Sequence, residues 1–270
     1  EGVSAGDKSI SDYETMLRVW TKPWNNIAVV DILIADCKEL VRRLQKADRS
    51  IAYQKKIKNV INRVFKWASE NRYLDQNMIS PMQGLSILRK EEKMPEILSL
   101  AEIKKLLKEA RDCNHSWYPV WVMALNTGMR SGELYALKWD HVDFEKNQIL
   151  VHQAFDSHKR KIGPTKGRYW RVVPISSYLR TFLIDLKATS DDREFVLPHT
   201  RTWYNSDQVL PLKEFMKSIG LRPVKFHTLR ACWATQMLAS GVSSAVVMRI
   251  GGWKRSSTMD IYLRLAGVDV

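Results

Sequence analysis

Apolar residues at helical spacing run through the first third of the chain, and almost no strand-like alternation interrupts them. The pattern is clearest between Ser50 and Asn71, where apolar positions recur every three or four residues. Such spacing places the apolar side chains on one stripe of a helix. We therefore predict an all-helical first domain. The opposite face of this helix carries polar and basic residues that fit either a solvated surface or contact with a polyanion such as DNA: Lys55, Lys56, Asn59 and Arg63.

The helical periodicity stops between Ser86 and Ile97, where charged residues are dense and Pro95 interrupts the chain. Exposed, charged connections of this kind commonly separate domains. We predict one domain over residues 1–93 and a second over residues 94–270. Ser99, followed three residues later by Glu102, predicts a capping box that opens a helix in the second domain.

The second domain combines helical spacing with two strand-like runs, one from Gln148 to Phe155 and one from Arg171 to Ile175. The loop between them is rich in Lys, Arg and Gly. The predicted fold class is therefore mainly α with a small β-sheet. It comprises an all-α N-terminal domain followed by an α+β domain.

The charge of the chain points to a polyanionic partner. Lys and Arg number 43 against 29 Asp and Glu, which gives a formal net charge of +14. The excess is present on both sides of Met94, with 17 basic against 12 acidic residues before it and 26 against 17 from there on. A basic surface on both halves suits a clamp around a DNA duplex. A basic soluble protein without a nucleic-acid partner is the alternative that charge alone leaves open.

Several function classes lack their motifs in this sequence. Three isolated cysteines form no CxxC pair, which argues against a disulfide framework and a zinc site and favours a reducing cytoplasm. No apolar run is long enough to cross a bilayer. There is no Walker loop, no HExxH and no convincing carboxylate set for metal ions. Phosphate chemistry would therefore depend on cationic side chains, without a cofactor.

Three short motifs carry candidate chemistry. Gly128 permits a tight turn before Arg130, which stands at a predicted helix start where it can face a phosphate, braced by Glu133. His227 and Arg230 share one side of a later helix, because they are three residues apart. Each motif alone also fits a simpler role, a surface ion pair for the first and a polar helix start for the second.

The third motif is Ile250-Gly-Gly-Trp253, with Tyr262 nine residues beyond the tryptophan. An indole N–H can donate to a phosphate oxygen, and its ring can pack beside the tyrosine helix. In a chain with 10 tryptophans, an ordinary core aromatic is the alternative.

The order and spacing of these residues resemble the tyrosine recombinases of the phage-integrase family. The matching positions are Arg130, His227, Arg230, Trp253 and Tyr262. Trp253 stands where relatives commonly have histidine. Lys166 resembles the family's lysine between two strands, and nearby candidates for DNA contact are Lys159, Lys161 and Arg168. Residues 1–93 resemble the family's helical core-binding domain.

The resemblance implies that Tyr262 attacks a DNA phosphate to give a 3′-phosphotyrosyl bond, without metal or ATP. It implies that the two arginines stabilise the phosphate oxygens, that His227 assists proton transfer, that Trp253 donates to the phosphate and that Lys166 protonates the leaving 5′ oxygen. The implied partners are double-stranded DNA, a homotetramer on paired sites and accessory DNA-bending proteins, with no membrane.

The implied setting is the cytoplasm of a bacterial or phage-infected cell, at the nucleoid, where the chain would integrate or excise a mobile element. A type IB topoisomerase shares the same chemistry and is one alternative. A DNA-binding relative without catalysis is the other.

Overall fold

The structure, a computed structural model, describes residues 7–87, 96–165, 169–190 and 193–267. It divides into two compact units, Glu1–Lys93 and Met94–Val270, each with its own buried core. The predicted fold class is confirmed, since the chain is mainly helical with small antiparallel sheets. Within these ranges no helix is both long and apolar enough to cross a membrane.

The first unit is entirely helical over its described residues. Its helices are α1 (Asp7–Trp20), α2 (Ile34–Lys46) and α3 (Ile51–Glu70), with short 3-10 turns at Lys22–Trp24 and Val29–Asp31. The Ser50 hydroxyl accepts a hydrogen bond from the Tyr53 N–H and caps α3. The apolar stripe of α3, which includes Ile57, Ile61 and Phe65, is buried against the other two helices. This packing leaves the basic side of α3 outside the core.

The second unit surrounds small sheets with helices. Its helices are α4 (Leu100–Asp112), α5 (Tyr118–Thr127), α6 (Ser131–Tyr135), α7 (Ser177–Ala188), α8 (Arg201–Tyr204), α9 (Val209–Ser218), α10 (Phe226–Ala239), α11 (Ser244–Gly251) and α12 (Ser257–Leu265), with a 3-10 turn at Trp139–His141. Its strands are β1 (Val142–Asp143), β2 (Gln148–Val151), β3 (Gln153–Asp156), β4 (Lys161–Pro164) and β5 (Arg171–Pro174). The capping box forms as expected, with Ser99 N–H donating to Glu102 at 2.8 Å.

The strand-like run predicted from Gln148 to Phe155 is present, but it is interrupted at His152. Among the described residues it forms two strands, since β2 pairs with β1 and β5 whereas β3 pairs with β4. Apolar alternation indicates which side chains are buried, but it does not specify the partner strand, and the partner changes at His152.

Helix α10 is the element around which the second unit's site is built. It packs against α5 on one side and against α11 and α12 on the other. Its buried positions include Leu229, Arg230 and Trp233, so a charged residue is enclosed within an otherwise apolar helix face. A buried arginine requires compensating partners, and the neighbouring turns supply them.

Candidate active site

Arg130 is held by the glutamate one turn further along the chain. Arg130 occupies the N-cap of α6, its Nη1 donates to Glu133 Oε1 at 2.9 Å, and its backbone N–H donates to Glu133 Oε2 at 2.8 Å. Burial alone would raise the pKa of Glu133, but hydrogen bonds from Arg171 and from Arg130 hold that pKa below its usual value. Glu133 is therefore a carboxylate that fixes the orientation of Arg130.

Arg230 is almost completely enclosed, with 2% of its surface exposed. Its Nη1 donates to the Gly128 carbonyl, and its Nη2 donates to the Gly251 carbonyl at 2.7 Å. Its Nε is buried without a hydrogen-bond partner in the part of the chain that the structure describes. Burial and the nearby charge of Arg130 lower the pKa of Arg230, yet a guanidinium remains protonated at neutral pH. The site thus contains a fixed cation with one unmet donor.

His227 is an exposed residue in the first turn of α10 and lines a cavity of about 150 Å³. Arg230, Ser131 and Gln208 also line this cavity. Partial desolvation lowers the pKa of His227, and the charges of Arg230 and Arg130 lower it further. The imidazole is therefore neutral at neutral pH and able to accept a proton.

The turn that ends α11 is bound by three arginines through three consecutive carbonyl groups. The pairs are Ile250 O with Arg171 Nε at 2.7 Å, Gly251 O with Arg230 Nη2 at 2.7 Å, and Gly252 O with Arg130 Nη2 at 2.8 Å. A Cβ on Gly251 would lie 2.0 Å from the Trp253 ring, and Gly252 has a φ of +71°. Glycine is thus required at both positions. A side chain at Gly251 would collide with the Trp253 ring, and the positive φ of Gly252 favours a residue without a Cβ.

Trp253 packs between three other groups of the site. Its ring stacks on Trp233 with centroids 6.2 Å apart, and the edge contact with Tyr262 has centroids 5.6 Å apart. Arg230 Cζ lies 3.8 Å from the indole centroid. Tyr262 is 8% exposed, and burial raises its pKa while the charge of Arg230 acts in the opposite direction. The five motif residues therefore form one group within the second unit.

The lysine loop is only partly described. Lys166 and Arg168 lie outside the described residues. Lys159 lies in the turn between β3 and β4, and Lys161 is the exposed first residue of β4. Among the described residues, no group of three His, Cys, Asp or Glu side chains could hold a metal ion.

The four candidates on α3 divide into two pairs. Lys55 and Asn59 are exposed one turn apart on the helix. In contrast, Lys56 Nζ contacts Asp12 Oδ2 at 3.2 Å, and Arg63 Nη1 donates to the Tyr13 hydroxyl at 2.9 Å. The second pair thus contributes to the contact between α3 and α1, which the helical pattern of α3 alone did not indicate.

Sequence reasoning did not single out Arg171, which binds Glu133 and the α11 turn. A local signal existed, because Arg171 opens a short apolar strand at a position that alternates with buried Val173. Tyr169 was also missed, and its hydroxyl donates to Gly252 O at 2.8 Å. Both contacts join residues distant in sequence, so periodicity could not predict them.

This chain is similar to known proteins in sequence and in fold. The model of the phage integrase family matches residues 96–267. A tyrosine recombinase described as XerC-like, from Caldanaerobacter subterraneus, is 30% identical over 256 residues. That alignment covers 82% of this chain but 64% of the relative, so this chain spans less than two thirds of that protein's length.

Two solved structures share the fold. The integrase of transposon Tn1549, in complex with transposon right-end DNA, superposes with a TM-score of 0.81 at 18% identity, covering 97% of this chain and 90% of that chain. A lambda integrase tetramer bound to a Holliday junction gives 0.72 at 17% identity, covering 97% and 73%. At this level of identity the likeness concerns the fold alone.

Proposed function

The chain belongs to the phage integrase family of tyrosine recombinases, and we propose that it cleaves and rejoins duplex DNA through a covalent bond to Tyr262. The observation that carries the proposal is the buried guanidinium of Arg230. It contacts the Trp253 ring, lines the cavity with His227, and keeps an unmet Nε donor. A buried arginine with an unmet donor beside a cavity suits an anionic group such as a phosphate.

The proposed reaction balances without a cofactor. The Tyr262 hydroxyl oxygen attacks phosphorus, and His227 accepts the phenolic proton. The bond from phosphorus to the 5′ oxygen breaks, and Lys166 gives that oxygen a proton, which leaves a 3′-phosphotyrosyl bond and a free 5′ hydroxyl. A 5′ hydroxyl from a partner strand then reverses the sequence and reseals the backbone.

The arginines account for the acceleration in this proposal. Negative charge builds up on the non-bridging oxygens in the transition state, and Arg130 and Arg230 are held in place before the substrate arrives. Fixed cations in a site with little water are each worth roughly 10²-fold or more in rate. The Trp253 N–H adds a neutral donor, and Glu133 keeps Arg130 from turning away.

The proposed partners are double-stranded DNA and further copies of this chain, as a homotetramer on paired sites with accessory DNA-bending proteins. Both integrase complexes named above contain DNA, which supports this proposal by likeness of fold. The helical first unit would contact the duplex through Lys55, Lys56, Asn59 and Arg63, and the loop through Lys159, Lys161 and Arg168. The reaction would integrate or excise a mobile element.

A nicked DNA site tests the proposal, because the short strand beyond the nick diffuses away after cleavage and traps the covalent product. The wild-type chain should form an adduct that survives denaturing electrophoresis. Tyr262→Phe removes one oxygen and preserves the ring contact with Trp253, so it should bind DNA and form no adduct.

Two results separate the alternatives. No adduct from the folded wild-type chain would indicate a DNA-binding relative without catalysis. An adduct accompanied by relaxation of supercoils, but never by joining of two different duplexes, would indicate a type IB topoisomerase.

A further inference from the structure

Arg171 joins the separate parts of the candidate site, and we propose that it is a positioning residue for strand cleavage that acts through Arg130. The inference rests on the proposed function and deepens it. Arg171 is 5% exposed at the start of β5, so its guanidinium is enclosed by protein. It can therefore influence a bound phosphate only through the residues that it holds.

The guanidinium of Arg171 uses two edges for two different tasks. Its Nη1 and Nη2 donate to the two oxygens of Glu133 at 2.9 and 2.6 Å. Its Nε donates to the Ile250 carbonyl at 2.7 Å. A planar fork presents fixed donors to both partners on two separate edges, whereas the donors of a lysine all lie on one nitrogen. Arg171 thus sets the distance between the start of α6 and the end of α11.

Glu133 is shared between two arginines. Its carboxylate accepts hydrogen bonds from Arg130 and from Arg171, so the three side chains together retain one positive charge. Without Arg171, the remaining guanidinium in contact with Glu133 would be that of Arg130. The charge of Arg130 would then be balanced inside the protein. Arg171 keeps that charge available to a phosphate.

Arg130 has a second contact, in the turn that ends α11. Its Nη2 donates to Gly252 O, in the same turn that Arg171 holds through Ile250. Loss of Arg171 would therefore loosen both anchors of Arg130, the carboxylate and the turn. A displacement of about 1 Å in a catalytic group can cost roughly a hundredfold in rate.

Single-turnover cleavage of saturating nicked DNA, at a temperature where circular dichroism shows each variant folded, tests the inference. Compared with the wild-type chain, Arg171→Lys should cleave at least about tenfold more slowly and Arg171→Met about a hundredfold more slowly. The second loss is larger because lysine keeps the positive charge and methionine removes it. DNA affinity should stay within about threefold, since Arg171 is enclosed and makes no direct contact with DNA in this scheme.

Arg222→Lys is the matched control. Arg222 pairs with Glu96 at 3.0 Å and points towards the Ile97 carbonyl, but its side chain is 48% exposed. The same substitution there should leave the cleavage rate unchanged. It removes an arginine fork that belongs to the surface of the second unit.

A suppressor separates the electrostatic role from support of the fold. In Arg171→Met, the additional change Glu133→Gln removes the buried carboxylate that Arg130 would otherwise have to balance. The double variant should cleave at least about tenfold faster than Arg171→Met, because removal of the carboxylate leaves the charge of Arg130 available to a phosphate again, although the missing Arg171 side chain is not replaced. A double variant no faster than the folded single variant would overturn the proposed sharing of Glu133.

A substrate with sulfur in place of the bridging 5′ oxygen supplies the last readout. Its leaving group needs no proton, so a defect in proton donation disappears on it. Arg171→Lys should remain slow on this substrate, as expected for action through Arg130, and full rescue would overturn the inference. An Arg171→Lys rate equal to wild type would also overturn it. Absence of any wild-type adduct would overturn the proposed function, and this inference with it.

Discussion

The guanidinium carbon of Arg230 lies 3.8 Å from the centroid of the Trp253 indole ring. A cation over the face of tryptophan is attracted by the ring quadrupole, an interaction worth about 2 kcal/mol or more when it is removed from water. Trp233 stacks on Trp253 as well. Arg230 and Trp233 therefore hold Trp253 in place, and the indole ring in turn fixes Arg230 before any phosphate binds.

The first prediction concerns the glycine that permits this contact. Gly251→Ala places a Cβ against the Trp253 ring and should destabilise the second unit by about 1–3 kcal/mol while displacing the indole from Arg230. Urea unfolding monitored by tryptophan fluorescence measures the change. Gly84→Ala is the control, since nothing lies within 4 Å of its added methyl group. Equal stability of the two variants would contradict the packing described here.

The second prediction separates binding from catalysis at the arginines. Arg130→Ala and Arg230→Ala should bind the DNA site with little loss and cleave it about 10²-fold or more slowly, because their charge is needed most in the transition state. Gel mobility shift measures binding, and covalent adduct formation measures the rate. Normal cleavage by either variant would assign that arginine a structural role only.

The third prediction assigns the proton donor within the lysine loop. Lys166→Ala should be severely slow on normal DNA and close to wild type when sulfur replaces the bridging 5′ oxygen, whereas Arg130→Ala should stay slow on both. Parallel rate measurements on Lys159→Ala and Lys161→Ala complete the comparison. Rescue of one of those variants would transfer the role to it. Rescue of none would favour His227 or water as the donor.

The fourth prediction concerns the pH response of His227. In the DNA-free chain the pKa of its ring should lie below the ordinary value of a histidine, because desolvation and the two arginine charges disfavour the protonated form. Arg130→Ala removes one of those charges, so the midpoint should rise towards the ordinary value. Nuclear magnetic resonance of the imidazole measures both midpoints, with Arg222→Ala as a control. A midpoint that falls in Arg130→Ala would be incompatible with the charge arrangement.

The fifth prediction distinguishes two neighbouring lysines on α3. Lys55 is exposed, whereas Lys56 is paired with Asp12 at 3.2 Å. Lys55→Ala should reduce the salt dependence of duplex binding by about one phosphate contact, a change of about 0.9 in the log–log slope. Lys56→Ala should change that slope less, because Asp12 already balances its charge. Both slopes are measured from dilute to moderate salt. An equal change of slope in the two variants would contradict the distinction between an exposed Lys55 and a paired Lys56.

Several elements of both units could be predicted from local sequence. Helical spacing predicted α3 and α10, and the Ser99–Glu102 pair predicted the cap of α4, because these features depend on neighbours within a turn or two. The fold class followed from the same periodicities. The place of Arg130 at a helix start is also local, since it depends on the break at Gly128.

The roles proposed for Arg130, His227, Arg230, Trp253, Tyr262 and Lys166 stay predictions. Their order along the chain is a property of the sequence, and it was enough to indicate the family, which the family model confirms. It did not indicate that Arg230 would be buried or that its Nε would lack a partner.

Only the tertiary structure decided how these segments meet. Arg130 and Gly252 are 122 positions apart, and Arg171 and Glu133 are 38 positions apart, yet each pair forms a direct hydrogen bond. The change of partner strand at His152 likewise depends on contacts between segments that are distant in sequence. The physical reason is that periodicity states which face of an element is buried. Which distant segment covers that face is set by packing and by the need to pair buried charges.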